Sequence, residues 1–142
     1  MKKIMPMAFA WIFVSCLNLL CFIPLSVSSE TYIPPGEYLD VANLNAMELI
    51  QNKQFGLLLD VSKPGERETG HVAESVPIPL EDLGKRLGEI EKYKDQVVLV
   101  ISKFGDRSSE ASRILAEKGF KKVYNIMGGM VDWKIMGYPV AK

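Results

Sequence analysis

The chain has 142 residues, enough for about one domain, with 17 basic and 17 acidic side chains and a single histidine. The balanced charge carries no polybasic signature for nucleic acid or anionic lipid, and 48% hydrophobic with 24% charged residues excludes an intrinsically disordered chain. Two cysteines and one histidine exclude a disulfide framework and leave too few ligands for a zinc site.

In chain order the first feature is a leader. Lys2 and Lys3 precede an apolar run from Ile4 to Leu25, and Ser26-Val27-Ser28-Ser29 follows. A positive start, an apolar core and a small-residue exit are the parts of a secretory signal, with cleavage after Ser28 or Ser29. The alternative is an uncleaved anchor through residues 4–25, interrupted by Pro6, Asn18 and Pro24. Lipidation at Cys16 has only a poor recognition sequence. Residues 1–29 are thus expected to be a signal peptide, 30–37 a linker, and 38–142 a domain that is periplasmic or secreted. Cys16 and Cys21 both lie in the leader, so no thiol remains from Glu30 onward. Without Lys2 and Lys3 the remainder carries 15 basic against 17 acidic residues, a net charge of −2.

The domain reads as alternating strands and helices. "YLDVA" is a short strand, after which Asn45 and Glu48 form a capping-box-like pair flanked by Leu44 and Leu49 at staple spacing. "FGLLLDV" has the apolar profile of a buried parallel strand. A polar loop, "SKPGERETGH", leads to the short strand "SVPIP". Leu83, Leu87, Ile90 and Tyr93 recur at helical spacing between Glu81 and Lys94. "QVVLVI" is the second strongly apolar strand, and "SKFGDR" turns into a helix starting near Ser108 and closed by Gly119. "KKVYNI" is the last strand, and "GGMVDWKIMG" the last helix. This alternation predicts a parallel sheet covered on both faces.

In such sheets ligands lie beyond the carboxyl ends of the strands, which selects the loops after Asp60-Val61 and after Ile101. Ser102, Lys103, Phe104, Gly105, Asp106 and Arg107 join a buried strand directly to a helix, the arrangement of an anion-binding nest.

The segments "LLLDVSKPGERETGHVAESVPIP", "QVVLVISKFGDRS", "ASRILAEKGFKKVYNIMGGMVDW" and "GYPV" follow one another as in single-domain rhodaneses. Asp60-Val61, Gly70-His71, Gly105, Arg107-Ser108, Gly128-Gly129 and Trp133 stand where that family's pattern puts such residues. Over residues 38–141 the chain resembles the thiosulfate sulfurtransferase-like family. The resemblance implies a five-stranded parallel sheet flanked by helices. It also implies a cysteine at the first loop position, which accepts sulfane sulfur as a persulfide. This chain has Ser102 there. A serine hydroxyl is barely ionised at neutral pH and forms no stable persulfide. The basic residue usual after the Asp-Val pair is also replaced, by Ser62. The six-residue loop matches sulfurtransferases, whereas related phosphatases and arsenate reductases use one residue more.

No catalytic residue is therefore expected. Asp60 is read as a carboxylate holding loop N–H groups in preference to a catalytic acid, Arg107 as closing the loop by pairing with Glu66 in preference to gripping an anion, and His71 as structural in preference to a general base. Lys103 is either a solvated charge or an anion-steering group, and Asp106 opposes an anion. Gly128-Gly129 with Trp133 is read as helix packing. The expectation is a rhodanese-homology pseudoenzyme that binds a partner protein or a small oxyanion. The alternatives are residual or partner-dependent sulfurtransferase activity and a purely structural module. Neither cofactor, metal nor nucleic acid is expected, and membrane contact only through an uncleaved leader.

Overall fold

A computed structural model describes residues 31–142. The leader, with its cleavage, anchor and lipidation readings, lies outside the described residues. The compact unit runs from Tyr32 to Lys142.

Five strands form one sheet: β1 (Leu39–Val41), β2 (Leu57–Asp60), β3 (Val76–Pro77), β4 (Val97–Ile101) and β5 (Lys122–Ile126). They lie in the order β1-β5-β4-β2-β3, and each neighbouring pair is parallel. The helices are α1 (Asn43–Gln51), α2 (Pro64–Arg67), α3 (Leu80–Ile90), α4 (Asp106–Glu117) and α5 (Gly129–Ile135).

The two-residue period of the central strands sends alternate side chains into two separate cores. Leu57, Leu59, Val98 and Val100 meet Leu83 and Ile90 of α3 and Ala111 and Leu115 of α4. Leu58, Leu99, Ile101 and Ile126 meet Ala46 of α1 and Met130 and Trp133 of α5. With both faces covered, every side chain of β2 is buried, which is why the strand reads as a continuous apolar run. Trp133 is 1% exposed, donates its indole N–H to the Pro139 carbonyl at 3.0 Å, and meets the Tyr138 ring edge-on at 5.1 Å.

Local expectations fail where tertiary contacts intervene. Helix α1 starts at Asn43, two residues before the expected cap at Asn45. Asn43 is buried and donates its side-chain amide to the Met127 carbonyl at 3.0 Å, anchoring the helix start to the end of β5. Leu44 is consequently 63% exposed and forms no staple. Helix α3 gives way after Ile90 to a 3₁₀ turn, Glu91–Tyr93, earlier than the apolar spacing implied. The polar loop after β2 contains α2, which has Pro64 at its start and the Lys63 N–H donating to the Glu66 carboxylate at 3.0 Å.

Candidate functional site

Strands β2 and β4 are adjacent, with Asp60 paired to Ile101 in register, so the Asp60 and Ser102 loops leave the sheet side by side. Helix α4 begins at Asp106, not near Ser108. Gly105 at φ +95° makes the turn, which leaves Ser102–Gly105 as the loop and places Asp106 and Arg107 in the first helical turn. Asp106 is exposed there, where its charge complements the positive helix end.

Ser102 is fully buried. Its Oγ accepts the N–H of Gly105 at 3.1 Å and the N–H of Ser108 at 3.2 Å. The Ser102 hydroxyl donates to Ser108 Oγ at 3.2 Å, and the Ser108 hydroxyl donates to the Gly105 carbonyl at 3.1 Å. The oxygen at the family's nucleophile position is therefore the hub that holds the loop to the helix. Among the described residues, the N–H groups of Lys103, Phe104, Asp106 and Arg107 find no acceptor.

A second turn supports the first from outside. Gly128 and Gly129 both have positive φ, +69° and +57°. A Cβ on Gly129 would stand 2.2 Å from the Ser102 carbonyl oxygen, so only glycine lets the start of α5 approach. That approach allows the N–H groups of Met130 and Val131 to donate to the carbonyls of Ser102 and Lys103, at 2.9 and 3.1 Å. The helix packing expected of this glycine pair is thus packing against the candidate site itself.

Adjacent residues of α2 tie the two loops down. Glu66 accepts two hydrogen bonds from the Arg107 guanidinium, at 2.7 and 2.8 Å. That fork holds the Glu66 carboxyl down at about 2, with the Lys63 N–H and the Lys103 ammonium, 4.0 Å away, lowering it further. The reciprocal effect raises Arg107. Arg67 pairs with the buried Asp60 carboxylate at 2.6 Å and also donates to the hydroxyl and carbonyl of Ser75. The other Asp60 oxygen accepts the Ser62 N–H at 2.9 Å. Position 62 carries no basic group, and the cation at Asp60 comes instead from Arg67 in α2. Composition and spacing did not single out Arg67; Pro64 followed by Glu66 was the available signal that a helix would carry it back to Asp60.

Lys103 lies over the Phe104 ring, 5.0 Å from its centroid, and Phe104 is 57% exposed. Beside the loop is a cleft of about 50 Å³ whose lining includes Ser62, Glu66, Lys103, Met130 and Lys134. His71 joins backbone to backbone with Ala141 and borders a different groove. Among the described residues no group of three acidic, cysteine or histidine side chains is placed to hold a metal ion.

The sequence profile of the rhodanese-like domain matches residues 44–136. A sulfurtransferase of Allochromatium vinosum is 31% identical over 84 residues, which span 59% of this chain and 77% of that one. The putative sulfur carrier protein YrkF of Bacillus subtilis is 38% identical over 76 residues, 54% of this chain and 40% of the carrier. The tRNA uridine(34) hydroxylase of Cronobacter sakazakii is 30% identical over 102 residues, but the match spans only 28% of that enzyme. Among solved structures, a rhodanese-related protein from Thermoplasma volcanium superposes with a TM-score of 0.63 at 32% identity, covering 73% of this chain and 98% of its own. With the fold, the loop and the relatives in agreement, the chain belongs to the rhodanese-like domain family.

Proposed function

We propose that this chain is an exported rhodanese-like domain that does not transfer sulfane sulfur and instead binds a small oxyanion at the Ser102–Arg107 loop. The observation that carries the reading is the bonding of Ser102. Its oxygen is buried and receives two N–H bonds, and its proton is committed to Ser108. No histidine bonds it, so no base is placed to activate the hydroxyl. No residue from Glu30 onward carries a thiol. Oxyanion binding is supported by the acceptor-free N–H groups of the loop and by Lys103 and Lys134 on the adjoining cleft. Export rests on the composition of residues 1–29.

Thiosulfate-to-cyanide transfer, measured beside Ser102→Cys, tests the loss of activity. The parent is expected at the no-protein blank, while the variant is expected to form a persulfide. Parent turnover well above the blank and abolished by Ser102→Ala would restore the sulfurtransferase reading. Sulfate and thiosulfate titrations followed at the amides of residues 102–108 test binding, with Asp106→Asn expected to tighten it. Intact mass tests export: a chain beginning at Ser29 or Glu30 is expected, and a full-length chain in the membrane fraction favours the anchor. A partner protein at the same loop is the second reading, favoured by the exposed Phe104 ring at its tip.

A further inference from the structure

We infer that the oxyanion site continues past Ser62 into a larger groove, so that the ligand it fits best is an organic anion, a charged head on an apolar body, ahead of a free inorganic ion. This rests on the oxyanion reading and names its ligand class. Ser62 borders two spaces. One is the 50 Å³ cleft beside the loop, bordered by Lys103 and Lys134 and by the Glu66 carboxylate, whose charge is already met by Arg107, so the two lysines leave the cleft net positive. The other is an open groove of about 560 Å³ along α2, β3 and the start of α3. That volume lies within the range of small-molecule sites.

The two spaces differ in chemistry. Pro64, Pro77 and Pro79 line the larger groove, together with Arg67, Arg86, His71 and Lys142. Both guanidinium groups already have carboxylate partners, Asp60 for Arg67 and Glu89 for Arg86. They therefore present aliphatic stems and planar faces more than free charge. Glu68 and Asp82 border the same groove and offset the charge of Lys142, so the groove offers no second anion site. The groove suits an apolar or aromatic body, and the cleft suits the anionic head.

Position 62 decides whether one molecule can occupy both. Ser62 is 5% exposed, so a long side chain there has no route to solvent except through one of the spaces it borders. The basic residue expected at this position from the family resemblance would fill that space. Serine borders both spaces and is too short to fill either.

The test compares sulfate with benzenesulfonate on the full chain, by NMR titration. Benzenesulfonate is expected to bind about tenfold more tightly, equivalent to roughly 1.4 kcal/mol. Its amide shifts should extend from residues 102–108 to 77–82, while those of sulfate stay at the loop. Ser62→Arg should abolish the tenfold advantage, and Ser62→Ala should keep it. Should Ser62→Arg fail to fold, the shift map of the parent still decides. Equal affinities with both sets of shifts confined to 102–108 would overturn this inference and leave the oxyanion reading standing. No shift with either anion would overturn both.

Discussion

Replacing Arg67 by alanine strands a buried charge. The Asp60 side chain is 1% exposed, and its two oxygens are held by the Arg67 guanidinium at 2.6 Å and the Ser62 N–H at 2.9 Å. Without Arg67 the carboxylate keeps only the single backbone donor. The Ser75 hydroxyl and carbonyl lose a donor as well. Breaking a buried pair from one side costs roughly 3–5 kcal/mol. Arg67 itself is 19% exposed, so water reaches the vacated space and the lower end, about 3 kcal/mol, is expected. At about 4 °C per kcal/mol for a domain of this size, Tm should fall by roughly 12 °C. Urea denaturation followed by circular dichroism measures the loss directly. Arg67→Lys should fall between parent and alanine, since one ammonium cannot reproduce the fork that reaches both Asp60 and Ser75. Asp60→Asn added to Arg67→Ala should recover part of the loss, because the stranded charge is gone. A loss below about 1 kcal/mol in Arg67→Ala, with no recovery in the double variant, would refute the assignment of Arg67 as the counterion that holds the site together.

Further outcomes follow from the same geometry. Ser102→Ala leaves the N–H groups of Gly105 and Ser108 without their acceptor and should cost about 2 kcal/mol in urea unfolding. Gly129→Ala combines positive φ with a Cβ 2.2 Å from a backbone oxygen and should cost more than about 2 kcal/mol. Gly84→Ala, inside α3 with open space around it, should stabilise by about 0.5–1 kcal/mol in the same assay. The Glu66 carboxyl lies at about 2 when folded against an ordinary 4.5, so its contribution is complete above about pH 4.5 and is lost as pH falls toward 2. NMR titration of the Glu66 carboxyl carbon should give a midpoint near 2, and Glu66→Gln should flatten the urea midpoint between those pH values.

The class of fold was legible in the sequence because its determinants are local and repeated. Apolar runs at 57–61 and 97–101 are what strands buried on both faces require, and the spacing of Leu83, Leu87 and Ile90 is what one covered helix face requires. The loss of the thiol was equally legible, being a matter of composition. The pairing of Arg107 with Glu66, 41 positions apart, was legible from their opposite charges beside the two loops. The start of α1 was not, because the Asn43 amide is drawn to Met127, 84 positions away, and this outweighs the local capping preference of Asn45. Arg67 reaches Asp60 only once α2 has formed. Gly128-Gly129 serves the loop only because α5 packs across the end of β4, where a Cβ would strike the Ser102 carbonyl. Periodicity and composition decide which segments are buried and what chemistry the chain lacks. Only the tertiary structure decides which buried polar groups meet, because those bonds join residues that no local pattern relates.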